Sequence, residues 1–259
     1  MRKSDTEPTC KGCRTPLDFD FSMAFQPIVD LEDVSVFAYE ALVRGTKGEP
    51  AGTVLGRITP ENRFAFDQRC RVRAVEMAAA LGMTTNLHIN FMPNAVYEPR
   101  QCIRSTLDAA SRTGFPIGRI VFETTEEERV HDPDRLKAIL SVYKHQGFMT
   151  AIDDFGAGYA GLNLLADFQP DIVKLDMALV RSIDANAARR TIIGGIVGIC
   201  RMLGIRVVAE GVETTAEART LRNLGVTLMQ GFLFAKPSFE ALPPVDLTAL
   251  GPDYQENVA

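Results

Sequence analysis

The chain has 259 residues, close to the ~250 of a single α/β barrel and short for two average domains. With 46% hydrophobic and 24% charged residues it is neither a disordered nor a fibrous sequence but an ordinary globular one. A net charge of −5 and a pI near 5.4 leave no general basic surface for long nucleic acid. No apolar stretch reaches the roughly 18 residues of a membrane span. The longest, Thr191–Leu203, is interrupted by Gly194, Gly195, Gly198 and Arg201.

The start, MRKSDTEPTC, lacks the apolar core of a secretory signal. Cysteines 10, 13, 70, 102 and 200 are odd in number and scattered, which implies reduced thiols and a cytoplasmic protein. Cys10 and Cys13 form one Cys-x-x-Cys pair, but no second pair or nearby histidine completes a four-ligand zinc site. They read as a pair in a flexible tail, with a redox or intermolecular metal role as the alternative.

Residues 1–20 are polar and read as a tail, 21–245 as one domain, and 246–259 as a second tail. Two β-like segments, Met23–Val29 and Val34–Leu42, flank a loop short enough for an antiparallel hairpin. Helix and strand then alternate: a helix over Glu61–Leu81 ended by Gly82, strand Asn86–Phe91, a helix near Glu98–Arg112, and strand Arg119–Glu123. A helix over Asp132–Gln146 ended by Gly147, strand Phe148–Asp153, a short helix around Leu162–Phe168 and strand Asp171–Lys174 follow. A helical region near Asp184–Leu203 ended by Gly204, strand Ile205–Glu210, a helix over Thr215–Leu224 and strand Val226–Gln230 complete the series. The strands are short, continuous apolar runs, as expected when both faces are covered. The fold class is α/β, a modified TIM-type (β/α)8 barrel with one antiparallel strand.

Seven of these runs stop on a polar residue: Glu40, Asn90, Glu123, Asp153 with Asp154, Lys174, Glu210 and Gln230. In a βα barrel the carboxyl ends of the strands share the face where active sites are built, so these residues converge. Five carboxylates then confront one lysine. Each like-charge pair about 5 Å apart costs roughly 3 kcal/mol at an effective dielectric near 20, so several acids are protonated or cations are bound. Oxygen ligands and an asparagine carbonyl suit Mg²⁺ or Mn²⁺. No histidine or cysteine stands at these strand ends, which argues against a dedicated zinc site. Two metals about 4 Å apart suit in-line displacement at phosphorus. Asp153-Asp-Phe-Gly156 has the wording of a kinase metal motif, but no HRDxxxxN loop or glycine-rich nucleotide loop accompanies it.

The segment Tyr39-Glu-Ala-Leu-Val-Arg-Gly45, with Asp153-Asp-Phe-Gly-Ala-Gly-Tyr159, Lys174-Leu-Asp176, Glu210-Gly-Val-Glu213 and Gln230-Gly-Phe-Leu-Phe234, resembles the EAL domain, a family of cyclic di-GMP phosphodiesterases. The wording from Gly158 to Asp171 is most similar to EAL domains of blue-light-sensing proteins. The resemblance implies hydrolysis of cyclic di-GMP to linear 5′-pGpG with two divalent cations, Mg²⁺ or Mn²⁺, and inhibition by Ca²⁺. It implies Glu40, Asn90, Glu123 and Asp153 as ligands of one metal, and Asp153, Asp154 and Glu210 at the second. It further implies Lys174 or Glu210 acting on the attacking water, with Gln26, Arg44 and Gln230 at the substrate. Glu126 would tether the loop after Asp154, with Glu213 and Asp176 as supporting acids, and the protein would pair into a homodimer beside that loop. Thr124 replaces a usual apolar residue and Ala160-Gly161 a usual Ser-Ser, but no ligand position is lost. A weakly active cyclic di-GMP receptor or a protein-interaction module is the alternative.

Overall fold

The computed structural model describes residues 17–125, 133–157 and 161–245. Cys10, Cys13, Glu126, Tyr159 and Ala160 lie outside them. Strand β1 (Ser22–Asp30) turns through residues 31–34 into β2 (Ser35–Arg44). Six further strands follow: β3 (Asn86–Asn90), β4 (Ile120–Thr125), β5 (Met149–Phe155), β6 (Ile172–Leu175), β7 (Arg206–Ala209) and β8 (Leu228–Gln230). Strands β2 to β8 pair in chain order and in parallel. Strand β1 closes the barrel, antiparallel to both β2 and β8. Its reversed direction follows from the connection, because a parallel pair needs a crossover far longer than residues 31–34. A two-residue strand, β9 (Ser238–Phe239), adds to the first half of β1.

Helices cover the outside: α1 (Ala51–Leu55), α2 (Arg63–Ala80), α3 (Pro99–Cys102), α4 (Arg104–Thr113), α5 (Pro133–His145), α6 (Gly161–Asp167), α7 (Met177–Val180), α8 (Ala187–Leu203) and α9 (Thr215–Asn223). Helices α1 and α7 and strand β9 are too short for a periodic signal and are absent from the sequence reading. The helix read over Glu98–Arg112 breaks at Ile103 into α3 and α4. Phe19, within the stretch read as a tail, is buried against Phe66. Gly82, Gly147 and Gly204 all take positive φ just after their helices, the conformation that ends a helix without Cβ strain. Among the described residues no helix is long and apolar enough to cross a membrane.

Two apolar layers result. The larger lies between sheet and helices and includes Leu87, Ile89, Phe122, Ile152, Val173 and Leu175. The smaller fills the barrel interior: Ile28, Ala38, Val121, Ala151, Ile172, Val208 and Leu228, one from each of seven strands. Side chains alternate in and out along a strand. The residue two positions further on each parallel strand is therefore the next inward one: Glu40, Glu123, Asp153, Lys174, Glu210 and Gln230. On β1, which runs the other way, it is Gln26. On β3 the floor position is His88 and the residue above it Asn90. Period two thus stacks a polar ring directly upon an apolar floor.

Candidate active site

Lys174 stands at the centre of the ring, fully buried. Its Nζ lies 2.7 Å from Glu210 Oε1, 3.0 Å from Glu123 Oε2, 3.1 Å from Asp153 Oδ1 and 3.2 Å from Glu40 Oε2. An ammonium has three donors, so four carboxylates exceed what it satisfies. Glu40 is held from both sides: Asn90 Nδ2 donates to its Oε1 at 2.8 Å and Gln230 Nε2 to its Oε2 at 2.9 Å. Gln230 also donates to Gln26 Oε1 at 3.3 Å, and Gln26 Nε2 to the Ala235 carbonyl at 3.3 Å. Asp154 follows with φ +53, the left-handed region, and its backbone N–H donates to Asp153 Oδ1 at 3.0 Å. A non-glycine residue there is a strained backbone of the kind that clusters at functional sites. Gly156, φ +98, continues the turn.

His88 Nδ1 makes a short contact with Glu123 Oε1, both side chains fully buried. The absence of histidine at the strand ends is accurate as sequence, but one layer below them a histidine reaches a site carboxylate. Burial, and after it the Lys174 charge, push the His88 pKa down to about 3, so the imidazole is neutral.

Burial drives the pKa values of Glu123 and Glu210 well above the carboxylate range, and Lys174 only partly offsets it. For Glu40 burial acts in the same direction but Lys174 and the amides of Gln230 and Asn90 win, bringing it below its ordinary value. Burial alone would lower Lys174, yet Asp153, Glu123, Glu210 and Glu40 together hold it well above the lysine range. It is an ammonium at neutral pH. Among the described residues, two groups of acids bring ligand atoms within 4.8 Å of one another, Glu40–Glu123–Asp153 and Asp153–Asp154–Glu210. Both contain Asp153. An oxygen-only donor set with excess negative charge fits hard divalent cations and not soft ones.

The remaining expected residues lie at the rim or beyond it. Arg44 ends β2, half-buried, its Nη1 donating to the Val43 carbonyl at 2.7 Å. With Asn90 it lines a cavity of about 440 Å³ whose other walls include Leu42, Leu55, Phe66 and Met92. Asp176 caps α7, accepting from the Ala178 N–H at 2.8 Å. Glu213 pairs with Arg181 at 2.7 Å, away from the ring. Gly231, next to Gln230, allows the backbone of Val212 to approach so closely that a Cβ would sit 2.0 Å from its carbonyl oxygen. That contact locks the exits of β7 and β8 together, and so Glu210 beside Gln230.

The family model for the EAL domain matches residues 17–237. The chain belongs to the EAL-domain family. The EAL fold is seen in a standalone versatile EAL protein from Vibrio cholerae O395, solved in a c-di-GMP bound form. It is 53% identical with a TM-score of 0.87, covering 93% of this chain and 99% of that one. BlrP1 from Klebsiella pneumoniae, solved at pH 9.0 as a manganese/cy-diGMP complex, is 35% identical with a TM-score of 0.81 over 87% of this chain and 58% of its own. Among curated EAL relatives, the blue light- and temperature-regulated antirepressor BluF of Escherichia coli (strain K12) is 31% identical over 86% of this chain and 55% of its own length. The probable cyclic di-GMP phosphodiesterase PdeG of the same organism is 29% identical over 82% of this chain and 44% of its own. The chain spans about half the length of these curated relatives.

Proposed function

We propose that this EAL domain hydrolyses cyclic di-GMP to linear 5′-pGpG using two divalent cations, Mg²⁺ or Mn²⁺. The observation that carries the reading is the ring itself: Lys174 touches Glu40, Glu123, Asp153 and Glu210 within 3.2 Å, and no ligand position of the family is lost. Glu40, Asn90, Glu123 and Asp153 would hold one cation, and Asp153, Asp154 and Glu210 the other. When bound, the cations neutralise the phosphodiester and lower the pKa of water. Lys174, kept charged by its four acids, orients the attacking water by hydrogen bond but has no free pair with which to take its proton. Glu210, more open to solvent than the other Lys174 partners and raised in pKa, is the acceptor. Water oxygen bonds to phosphorus as its proton passes to Glu210, the P–O3′ bond breaks with its electron pair on O3′, and O3′ takes a proton from solvent, leaving a 5′-phosphate and a 3′-hydroxyl. Arg44 suits the second phosphate, and the apolar cavity beside it suits a base. Gln26 and Gln230 steady Glu40 and the substrate edge.

The solved complexes of BlrP1 with manganese or calcium and cyclic di-GMP support both the ligand and the cation class. Calcium accepts longer, less regular coordination, so it is proposed to bind without supporting turnover. Residues 21–245 are taken as the catalytic unit, working in the cytoplasm as a homodimer that light scattering would reveal. Glu126 is proposed to tether the loop after Asp154, with Asp176 and Glu213 bracing neighbouring segments. BluF, an antirepressor by description, favours a second reading as an interaction module. One assay separates the two: incubation of purified protein with cyclic di-GMP and Mg²⁺, Mn²⁺, Ca²⁺ or EDTA, with products resolved by chromatography. Linear dinucleotide with Mg²⁺ or Mn²⁺ alone is expected. Binding without product under every condition would defeat the enzyme reading.

A further inference from the structure

We propose that His88 is a positioning residue for Glu123, its Nδ1–H reaching up from the barrel floor to fix the orientation of that carboxylate for cation binding. The inference rests on the metal-dependent reading above. Seven strands give the floor an apolar side chain, Ile28, Ala38, Val121, Ala151, Ile172, Val208 and Leu228, and β3 alone gives an imidazole. The exception is costly. His88 is fully buried, and its Nε2 has no hydrogen-bond partner among the described residues, with the edge of Phe37 beside the ring. An apolar residue would avoid an orphaned polar atom. Departures from a local rule of this kind mark functional positions.

What the imidazole provides is a hydrogen-bond partner for Glu123 Oε1, and it must be the donor once that carboxylate is ionised to hold a cation. Glu123 is itself fully buried, and its other oxygen lies 3.0 Å from Lys174 Nζ. Without His88 one oxygen faces an apolar floor, and the carboxylate is free to rotate or to keep its proton. Ligating carboxylates are commonly oriented by such hydrogen bonds, and removing the partner costs about 10–100-fold in metal affinity or activity.

The test uses the whole chain in three variants, His88→Leu, His88→Asn and His88→Gln. Mn²⁺ binding to substrate-free protein is followed by electron paramagnetic resonance, alongside kcat and KM for cyclic di-GMP and the melting temperature. Asparagine places an amide N–H near the Nδ1 position, whereas glutamine extends towards that of Nε2. His88→Leu is expected to weaken Mn²⁺ binding at least tenfold and lower kcat with little change in KM, His88→Asn to recover to within about threefold, and His88→Gln to stay impaired. Wild-type Mn²⁺ affinity in His88→Leu, or Asn no better than Gln, would overturn the inference. Should the leucine variant not fold, the asparagine and glutamine pair decides alone. A wild-type protein that binds no Mn²⁺ overturns the metal reading itself, and this inference with it.

Discussion

Lys174 and Glu40 show how a single side chain's meaning depends on its neighbours. A lysine ending an apolar run is, by itself, a partner for some buried acid. Here four acids surround it, so its charge is held rather than available for proton abstraction. Lys174→Met leaves those acids with no internal cation. Breaking a buried pair from one side costs about 3–5 kcal/mol, so in EDTA the denaturation midpoint should fall by that equivalent, and saturating Mn²⁺ should restore part of it. A variant as stable as wild type in EDTA would show that the acids are already protonated. Glu40→Ala and Asp153→Ala remove expected ligands without opening the apolar floor. Each should lower kcat by several orders of magnitude, measured by product release, while far-UV dichroism stays native. Near-normal turnover in either would refute the ligand assignment. The acids were legible as sequence because they end apolar runs. His88 was not, since within Leu87-His-Ile89 it sits where a floor residue belongs and nothing local distinguishes it from a satisfied core histidine.

At the level of elements, the strands could be read because both of their faces are covered, leaving uninterrupted apolar runs bounded by turns. Helices α1 and α7, of five and four residues, give no helical period and are defined instead by what they pack against. Helix α9 shows how an element braces the segments beside it. Its Glu217 completes a capping box with Thr214 and also accepts from the backbone N–H groups of Ser182 and Glu213. Burial would raise the Glu217 pKa, but these donors prevail and lower it from its ordinary 4.5. The sign follows directly. A carboxylate with a depressed folded pKa contributes stability that is present above 4.5 and lost as pH falls through the folded value. Glu217→Ala should therefore cost about 1–2 kcal/mol at neutral pH, as other cap losses do. The gap from wild type, measured by urea denaturation, should close in acid. A gap independent of pH would mean that the carboxylate's charge has no part in the cap.

Across the whole molecule, residues from Gln26 to Gln230 meet in one ring because the barrel brings every strand end to one face. Loading that ring is therefore linked to folding of the entire barrel, not of a segment. A ligand that binds only the native state stabilises it by about 2.7 kcal/mol at a hundredfold excess over Kd. For a chain of this size each kcal/mol moves the melting temperature by roughly 2–4 °C. Mn²⁺ should then raise the Tm by several degrees over EDTA in a single transition. Asp153 belongs to both acid groups and Asp154 to one, which fixes an order among variants. Asp154→Asn should keep part of the Mn²⁺-dependent rise, and Asp153→Asn should lose nearly all of it. Scanning calorimetry of the three proteins with and without Mn²⁺ checks this. Equal shifts in both variants would mean that Asp153 does not join two sites, and no shift in wild type would remove cations from the account of the ring altogether.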